Sequence, residues 1–176
     1  QGDRVLVCDG CGTDYSCTIS DISPQQVCLV VDSASASASE PRVQCSVYMA
    51  YAKADKLEHV IQKATELGAY EIAAFPSSRC VMRLDAAGAQ KKLDRWQKIA
   101  ASAAAQSGRG RIPQVLALPS YEAALQRAAQ AELAVCFYEN EEQRTFRAAI
   151  EGTVQESDKA ILAAQEEAQK QAENSL

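Results

Sequence analysis

The chain contains little of what most catalytic sites are built from. It has one histidine, His59, and so a single candidate for any mechanism that needs an imidazole base. It has no glycine-rich phosphate loop, no pair of metal-binding carboxylates and no nucleophile elbow, which excludes the usual kinase and hydrolase mechanisms. His59 lies beside the apolar positions of a predicted helix. It is either a catalytic base or a hydrogen-bonded side chain on the flank of that helix.

The sequence also lacks long apolar runs. None approaches the roughly 20 residues of a membrane span, and the first residues lack the basic-then-apolar pattern of a signal peptide. We therefore expect a cytoplasmic protein with no membrane partner. The seven cysteines are an odd number, which fits reduced thiols better than a disulfide framework.

A second pair of closely spaced cysteines is missing as well. Structural zinc sites usually combine two close pairs of ligands, and Cys8 and Cys11 in VLVCDGCG form only one. Cys17 and Cys28 belong to no second Cys-x-x-Cys. The alternation of apolar and polar residues around Asp9-Gly10 explains the stretch as a β-hairpin. We expect a hairpin and no metal site.

Basic residues are concentrated in the middle of the chain. Residues 42–111 carry twelve Lys or Arg against six Asp or Glu, whereas both flanking parts are acidic and the net charge is −5. A basic block of this kind suits a phosphate-bearing partner. Solvated helix faces would give the same count, so charge alone leaves both interpretations open.

The pattern of apolar residues divides the chain into two parts. Residues 4–8, 13–19 and 27–31 read as β-strands, and the Ser/Ala stretch at 33–39 predicts a linker. Strand and helix patterns then alternate. The later strands are predicted at 47–51, 72–75, 114–118, 133–138 and 159–162, and the helices at 57–67, 87–106, 121–131, 145–150 and 163–172. The predicted fold is α/β, with a small β module at 1–41 and a parallel sheet covered by helices on both faces at 42–176.

Two stretches of the basic middle have the chemistry of a ligand site. Ser77 and Arg79 in FPSSRCVMR follow the carboxyl end of a strand, where open α/β sheets bind ligands. Arg109 and Arg111 in QSGRGRIP alternate with glycines after a long helix, and their forked donors suit phosphates. The two stretches could converge on one site.

The helix in KKLDRWQKIA has a basic face beside Trp96. Its members, spaced three or four residues apart, are Lys91, Lys92, Arg95 and Lys98. Contact with nucleic acid is one interpretation of this face. A solvated face with Trp96 packed beneath it is the other.

Several long stretches resemble the bacterial ribosomal RNA small subunit methyltransferase E family. They are VYMAYAKADKLEHVIQKATELGAYEI, PSSRCV, KKLDRWQKIA, QSGRGRIP and FYENE, and the resemblance extends over residues 2–152. It implies methyl transfer from S-adenosylmethionine to N3 of a 16S rRNA uridine. It also implies a homodimer with a PUA-like β barrel, only part of which precedes residue 42, and a SPOUT domain, an α/β sheet with a deep trefoil knot.

Position and resemblance together suggest roles for individual residues. Arg109 and Glu139 are expected to be catalytic. Ser77, Glu139 and Asn140 are expected to bind the cofactor. The expected RNA-binding residues are Arg79, Lys91, Lys92, Arg95, Arg109 and Arg111.

The sequence departs from the family pattern at several places. The Gly-Pro-Glu-Gly-Gly cofactor loop expected after Ile161-Leu162 and the later Leu-Gly-x-x-Ile-Leu-Arg-x-Glu-Thr-Ala segment do not occur. The first barrel strands are also missing before Gln1, and Ala52, Ala54 and Ala105 replace Pro, Gly and Glu. We therefore expect a chain incomplete at both ends that binds S-adenosylmethionine weakly or not at all, derived from a methyltransferase. The alternatives are a catalytically inactive RNA-binding module of the same fold and a structural dimerisation domain.

Overall fold

The computed structural model describes residues 1–53, 55–82, 84, 86–137, 142 and 145–152. They belong to two compact units that divide after Leu125. Within these ranges, no helix combines the length and the apolar character needed to cross a membrane.

The chain begins with an antiparallel sheet of three strands. Strands β1 (Arg4–Cys8), β2 (Thr13–Ile22) and β3 (Val27–Ala36) lie in the order β1-β2-β3. Asp9 accepts hydrogen bonds from the backbone N–H groups of Cys11 at 2.7 Å and Thr13 at 3.1 Å, which lower the pKa of its carboxyl group. The hairpin prediction is confirmed. Among the described residues, no group of three or more His, Cys, Asp or Glu could hold a metal ion.

The Ser/Ala stretch is the first departure from the prediction. Strand β3 continues to Ala36, and residues 33–36 pair with residues 13–16 of β2. The linker prediction is therefore wrong for these four residues. Backbone groups of β2 supply their hydrogen-bond partners, so small side chains are sufficient for strand formation at this edge.

A parallel sheet follows, as the alternating pattern predicts. Strands β4 (Ser46–Ala50), β5 (Glu71–Phe75) and β6 (Gln114–Ala117) lie in the order β4-β5-β6, connected by helices α1 (Lys56–Glu66) and α2 (Ala86–Ser107). Both connections advance in the same direction across the sheet. Right-handed crossovers consequently place α1 and α2 on the same face, and the two helices contact each other.

The core lies between this helix pair and the sheet. Leu57 and Ile61 of α1, Trp96 of α2 and Ile72 of β5 are all buried, and Trp96 packs against Tyr51 with ring centroids 6.0 Å apart. On the other face of β5, the side chains of Glu71, Ala73 and Phe75 are buried too. The central strand is thus covered on both faces, as expected for a parallel sheet.

The C-terminal part agrees only partly with the predictions. Helix α3 (Tyr121–Ala128) is confirmed but ends three residues early, and residues 146–152 are helical. The strand predicted at 133–138 is wrong for residues 133–137, which are exposed and have no strand partner; Tyr138 lies outside the described residues. The segments predicted at 159–162 and 163–172 also lie outside them.

Candidate functional site

The predicted site residues lie at opposite ends of the parallel sheet. Ser77 and Arg79 follow the carboxyl end of β5, whereas Arg109 and Arg111 precede β6 at the amino end. At about 3.3 Å per residue, the four steps along β5 separate these ends by roughly 13 Å. The expectation that the two stretches converge is wrong. Helix α2 has to return the chain to the amino end of the sheet, because parallel strands start at the same edge.

Ser77 and Cys80 form a tight turn at the carboxyl end. The Ser77 Oγ atom lies 3.2 Å from Cys80 Sγ, and the Cys80 N–H donates to the Ser77 carbonyl oxygen at 3.1 Å. The rings of Phe75 and Tyr121, with centroids 5.7 Å apart, lie at the same end. The turn leaves Ser77 partly exposed and Arg79 exposed. Glu139 and Asn140, expected on this side, lie outside the described residues.

At the amino end, Arg109 is bound on several sides by protein acceptors. Its Nε and Nη2 atoms donate to the two carboxylate oxygens of Glu40 at 3.1 and 2.6 Å, and Nη1 donates to the carbonyl oxygens of Thr65 at 2.8 Å and Ala69 at 3.0 Å. The Arg109 side chain is 5% exposed. Four of the five N–H donors of a guanidinium are thereby used within the protein, a geometry that favours a structural role for this residue.

Glu40 connects the segment before β4 to the loop that carries both arginines. Besides its bidentate pair with Arg109, it accepts the backbone N–H of Arg111 at 2.9 Å. The hydrogen bonds and positive charge of Arg109 hold the pKa of the Glu40 carboxyl group below its ordinary value. The ionised form of Glu40 is therefore the one that stabilises this end of the sheet.

Acidification should weaken the fold through Glu40. Because its pKa is lower in the folded chain, the stabilisation is complete above the ordinary value of 4.5 and is lost as pH falls through the lowered pKa. Urea unfolding of the wild type and Glu40→Gln from neutral pH downward isolates this contribution from those of Asp9, Glu66 and Glu122. The difference in free energy of unfolding between the wild type and Glu40→Gln should shrink on acidification. A constant difference would contradict the stabilising role of ionised Glu40.

The loop of Arg109 and Arg111 also joins the two sheets. Gly12 donates its N–H to the Gly110 carbonyl oxygen at 2.8 Å, and the N–H of Ile112 donates to the Gly10 carbonyl oxygen at 2.9 Å. A Cβ atom on Gly110 would overlap the side chain of Ser37. Glycine is required at position 110 for this close approach.

Arg111 differs from Arg109 in its surroundings. Its guanidinium lies over the ring of Tyr70, 5.3 Å from the centroid, and it is only partly buried. Both arginines line a groove of about 200 Å³ together with Glu40 and Tyr70. Sequence reasoning missed Glu40 and Tyr70, since both partners are distant along the chain from the residues they contact and no local pattern marks them.

The basic face of α2 is partly neutralised by α1. Arg95 and Lys92 lie 2.7 and 3.9 Å from the carboxylate of Glu58. Lys91 and Lys98 are exposed, and within the described ranges no carboxylate pairs with either. Trp96 is buried beneath this face, as one interpretation predicted.

Comparison with known proteins identifies the kind of domain to which this architecture belongs. Residues 39–164 match a family model described as an RNA methyltransferase domain. The chain belongs to this family. The RNA methyltransferase domain thus includes the parallel sheet, both helices of its core and Glu40.

Individual relatives agree with this assignment. The chain is 36% identical over 140 residues to ribosomal RNA small subunit methyltransferase E of Bacillus subtilis, covering 79% of this chain and 54% of that protein. The Mycobacterium bovis protein of the same name is 42% identical over 74 residues, 42% of this chain and 28% of that protein. The resemblance found in the sequence is confirmed. The chain spans about half the length of the Bacillus relative.

A solved structure of the same name is similar in fold. The Neisseria gonorrhoeae enzyme, ribosomal RNA small subunit methyltransferase E bound to S-adenosyl methionine, superimposes with a TM-score of 0.64 at 25% sequence identity. The similarity covers 82% of this chain and 62% of the Neisseria chain.

Proposed function

We propose that this chain carries the RNA methyltransferase domain of a protein that methylates small-subunit ribosomal RNA, with S-adenosylmethionine as the methyl donor and N3 of a 16S rRNA uridine as the acceptor. The observation that carries the proposal is the family match over residues 39–164, supported by 36% identity to the Bacillus relative. An rRNA substrate also implies that the reaction takes place in the cytoplasm.

The carboxyl end of the sheet is the proposed position of the cofactor. Open α/β sheets bind ligands there, and the described groups have suitable chemistry. Ser77 offers a partly exposed hydroxyl, and exposed Tyr121, whose ring packs against buried Phe75, offers an aromatic surface for a nucleoside. Glu139 and Asn140 are also proposed to bind the cofactor. Bound S-adenosylmethionine would supply an electrophilic methyl group.

The acceptor nitrogen has to lose a proton before or during methyl transfer. A neighbouring cation lowers the pKa of uridine N3 and so favours the reactive anion. Glu139 remains the proposed catalytic residue, as the carboxylate that would accept the N3 proton, and exposed Arg79 is proposed to be the neighbouring cation and to contact the RNA. For Arg109 we propose structural support instead of the expected catalytic and RNA-binding roles, because its guanidinium is buried against Glu40 at the other end.

The resemblance also supports a larger assembly. In this proposal the antiparallel sheet belongs to a PUA-like barrel, the α/β domain contains a trefoil knot, and two chains form a homodimer. Sedimentation at twice the monomer mass is the result that homodimerisation predicts.

The basic face of α2 should contribute to RNA affinity through Lys91 and Lys98, which form no ion pair with any carboxylate that the structure describes. Lys91→Ala combined with Lys98→Ala should weaken 16S rRNA binding and lower the salt slope of log Kd by about 1.8, or roughly 0.9 per lost duplex phosphate contact. Stability should change by less than about 0.5 kcal/mol, because both side chains are exposed. Filter binding over a salt series measures the slope. An unchanged slope would mean that this face is only solvated.

Methyl transfer is the direct test of the proposed function. The chain is incubated with unmethylated 16S rRNA and S-adenosylmethionine carrying a deuterated methyl group, and the RNA is then digested to nucleosides for mass spectrometry. The proposal expects labelled N3-methyluridine. RNA binding without transfer would instead indicate the inactive RNA-binding module, and label in another nucleoside would contradict the N3 assignment.

A further inference from the structure

The groove at the amino end of the parallel sheet has no part in methyl transfer as proposed above. It has a volume of about 200 Å³, and its lining includes Gly12, Glu40, Gly68, Tyr70 and the two arginines. Sites that enclose a drug-sized ligand measure about 300–1,000 Å³. The groove is therefore suited to a fragment of a larger ligand, such as one nucleotide of a strand.

The charges lining the groove do not cancel. Glu40 and Arg109 neutralise each other through their bidentate pair. Arg111 remains, and in the part of the chain that the structure describes no carboxylate lies within ion-pair distance of its guanidinium. The groove thus presents a single uncompensated positive charge, which suits one phosphate group.

Arg111 is also held in place before any ligand binds. Its backbone N–H is bonded to Glu40, and its guanidinium lies over the Tyr70 ring. Gly12 leaves room for it, because a Cβ atom there would lie 3.3 Å from Arg111 Nη2. A guanidinium restrained by a neighbouring aromatic ring loses less freedom on binding a phosphate than a fully solvated one.

We propose that this groove binds one phosphate-bearing nucleotide of single-stranded RNA, with Arg111 as the phosphate ligand and the Arg111–Tyr70 pair beside the base. The inference rests on the proposed function, since the strand is part of the rRNA substrate. The groove anchors RNA at the edge of the sheet opposite the proposed methyl-transfer site.

Equilibrium binding of a fluorescent single-stranded oligonucleotide from 16S rRNA tests the groove. Arg111→Ala should weaken binding about tenfold, as expected for the loss of charged hydrogen bonds. It should also lower the salt slope of log Kd by about 0.7, the value for one single-strand phosphate. Arg4→Ala is the matched control, because it removes the same charge from an exposed position on β1 outside the groove and should change neither quantity.

The outcomes separate this inference from the function on which it rests. A wild-type chain that binds no rRNA overturns both. If the wild type binds rRNA and Arg111→Ala binds it equally well, only the groove assignment is overturned. The same holds if Arg4→Ala loses as much affinity as Arg111→Ala. Uridine monophosphate competing as well as the oligonucleotide would indicate a mononucleotide site and overturn the assignment to RNA.

Crosslinking tests the same inference in the unmodified chain, independently of how the variant folds. An oligonucleotide carrying 4-thiouridine is irradiated on the wild-type protein, and the attached peptides are mapped by mass spectrometry. Peptides containing Tyr70 or Arg111 are expected. Crosslinks confined to other segments would contradict the proposal.

Discussion

Replacing Arg109 with alanine should lower the free energy of unfolding by about 3–5 kcal/mol, the usual cost of removing one partner of a buried ion pair. The variant would remove four hydrogen bonds, two to the Glu40 carboxylate and one each to the carbonyl oxygens of Thr65 and Ala69, and would leave the Glu40 charge without its cation. Urea unfolding followed by far-UV circular dichroism measures the loss. A loss below about 1 kcal/mol would contradict the structural role.

The pair of Arg95 and Glu58 provides the control for Arg109→Ala. It has a similar short contact, 2.7 Å, but the Arg95 side chain is 65% exposed. Arg95→Ala should therefore cost less than about 1 kcal/mol. The double variant Arg109→Ala with Glu40→Ala should cost less than the sum of the single losses, since each removes the same interaction. Additive losses would show that the two residues stabilise the fold independently.

Replacing Trp96 with alanine should cost about 3–5 kcal/mol as well, in this case by opening a cavity in the core. The side chain is 1% exposed and packs against Tyr51 between α2 and the sheet. Because the chain has one tryptophan, circular dichroism must replace fluorescence as the probe. Trp96→Phe keeps an aromatic ring in place and should lose clearly less. Equal stability of Trp96→Ala and wild type would place the core elsewhere.

Trp96→Ala also separates packing from charge on α2. The variant leaves Lys91 and Lys98 unchanged, so RNA affinity measured where the variant remains folded should stay close to that of the wild type. The paired lysine variant should show the opposite behaviour, with normal stability and weaker RNA binding.

The repeating α/β part of the fold could be predicted because its signals are local. Leu57 and Ile61 recur at helical spacing, and Gly68 ends the helix with φ near 100°. The strand at residues 33–36 was missed because its pairing with β2 is non-local and its Ser and Ala side chains give no apolar pattern. Strand formation there depends on a neighbour that the local sequence does not reveal.

The candidate site shows the same limit more sharply. Arg109 and Arg111 occur in one Gly-Arg-Gly-Arg pattern, and both were expected to bind RNA, with a catalytic role expected of Arg109 in addition. Contact with Glu40, 69 residues away, buries the first guanidinium, while the second lies over Tyr70 in the groove. Chemistry at a strand end could be predicted, but the end of the sheet at which each arginine lies required the fold.

We propose a division of labour, in which RNA is anchored at the amino ends of the parallel strands and methyl transfer takes place at their carboxyl ends. Steady-state kinetics of Arg111→Ala with saturating S-adenosylmethionine tests it most directly. We expect the KM for 16S rRNA to rise about tenfold with kcat unchanged, because the lost contact is made equally in the ground and transition states. A fall in kcat with an unchanged KM would place Arg111 at the reacting atoms and contradict the division.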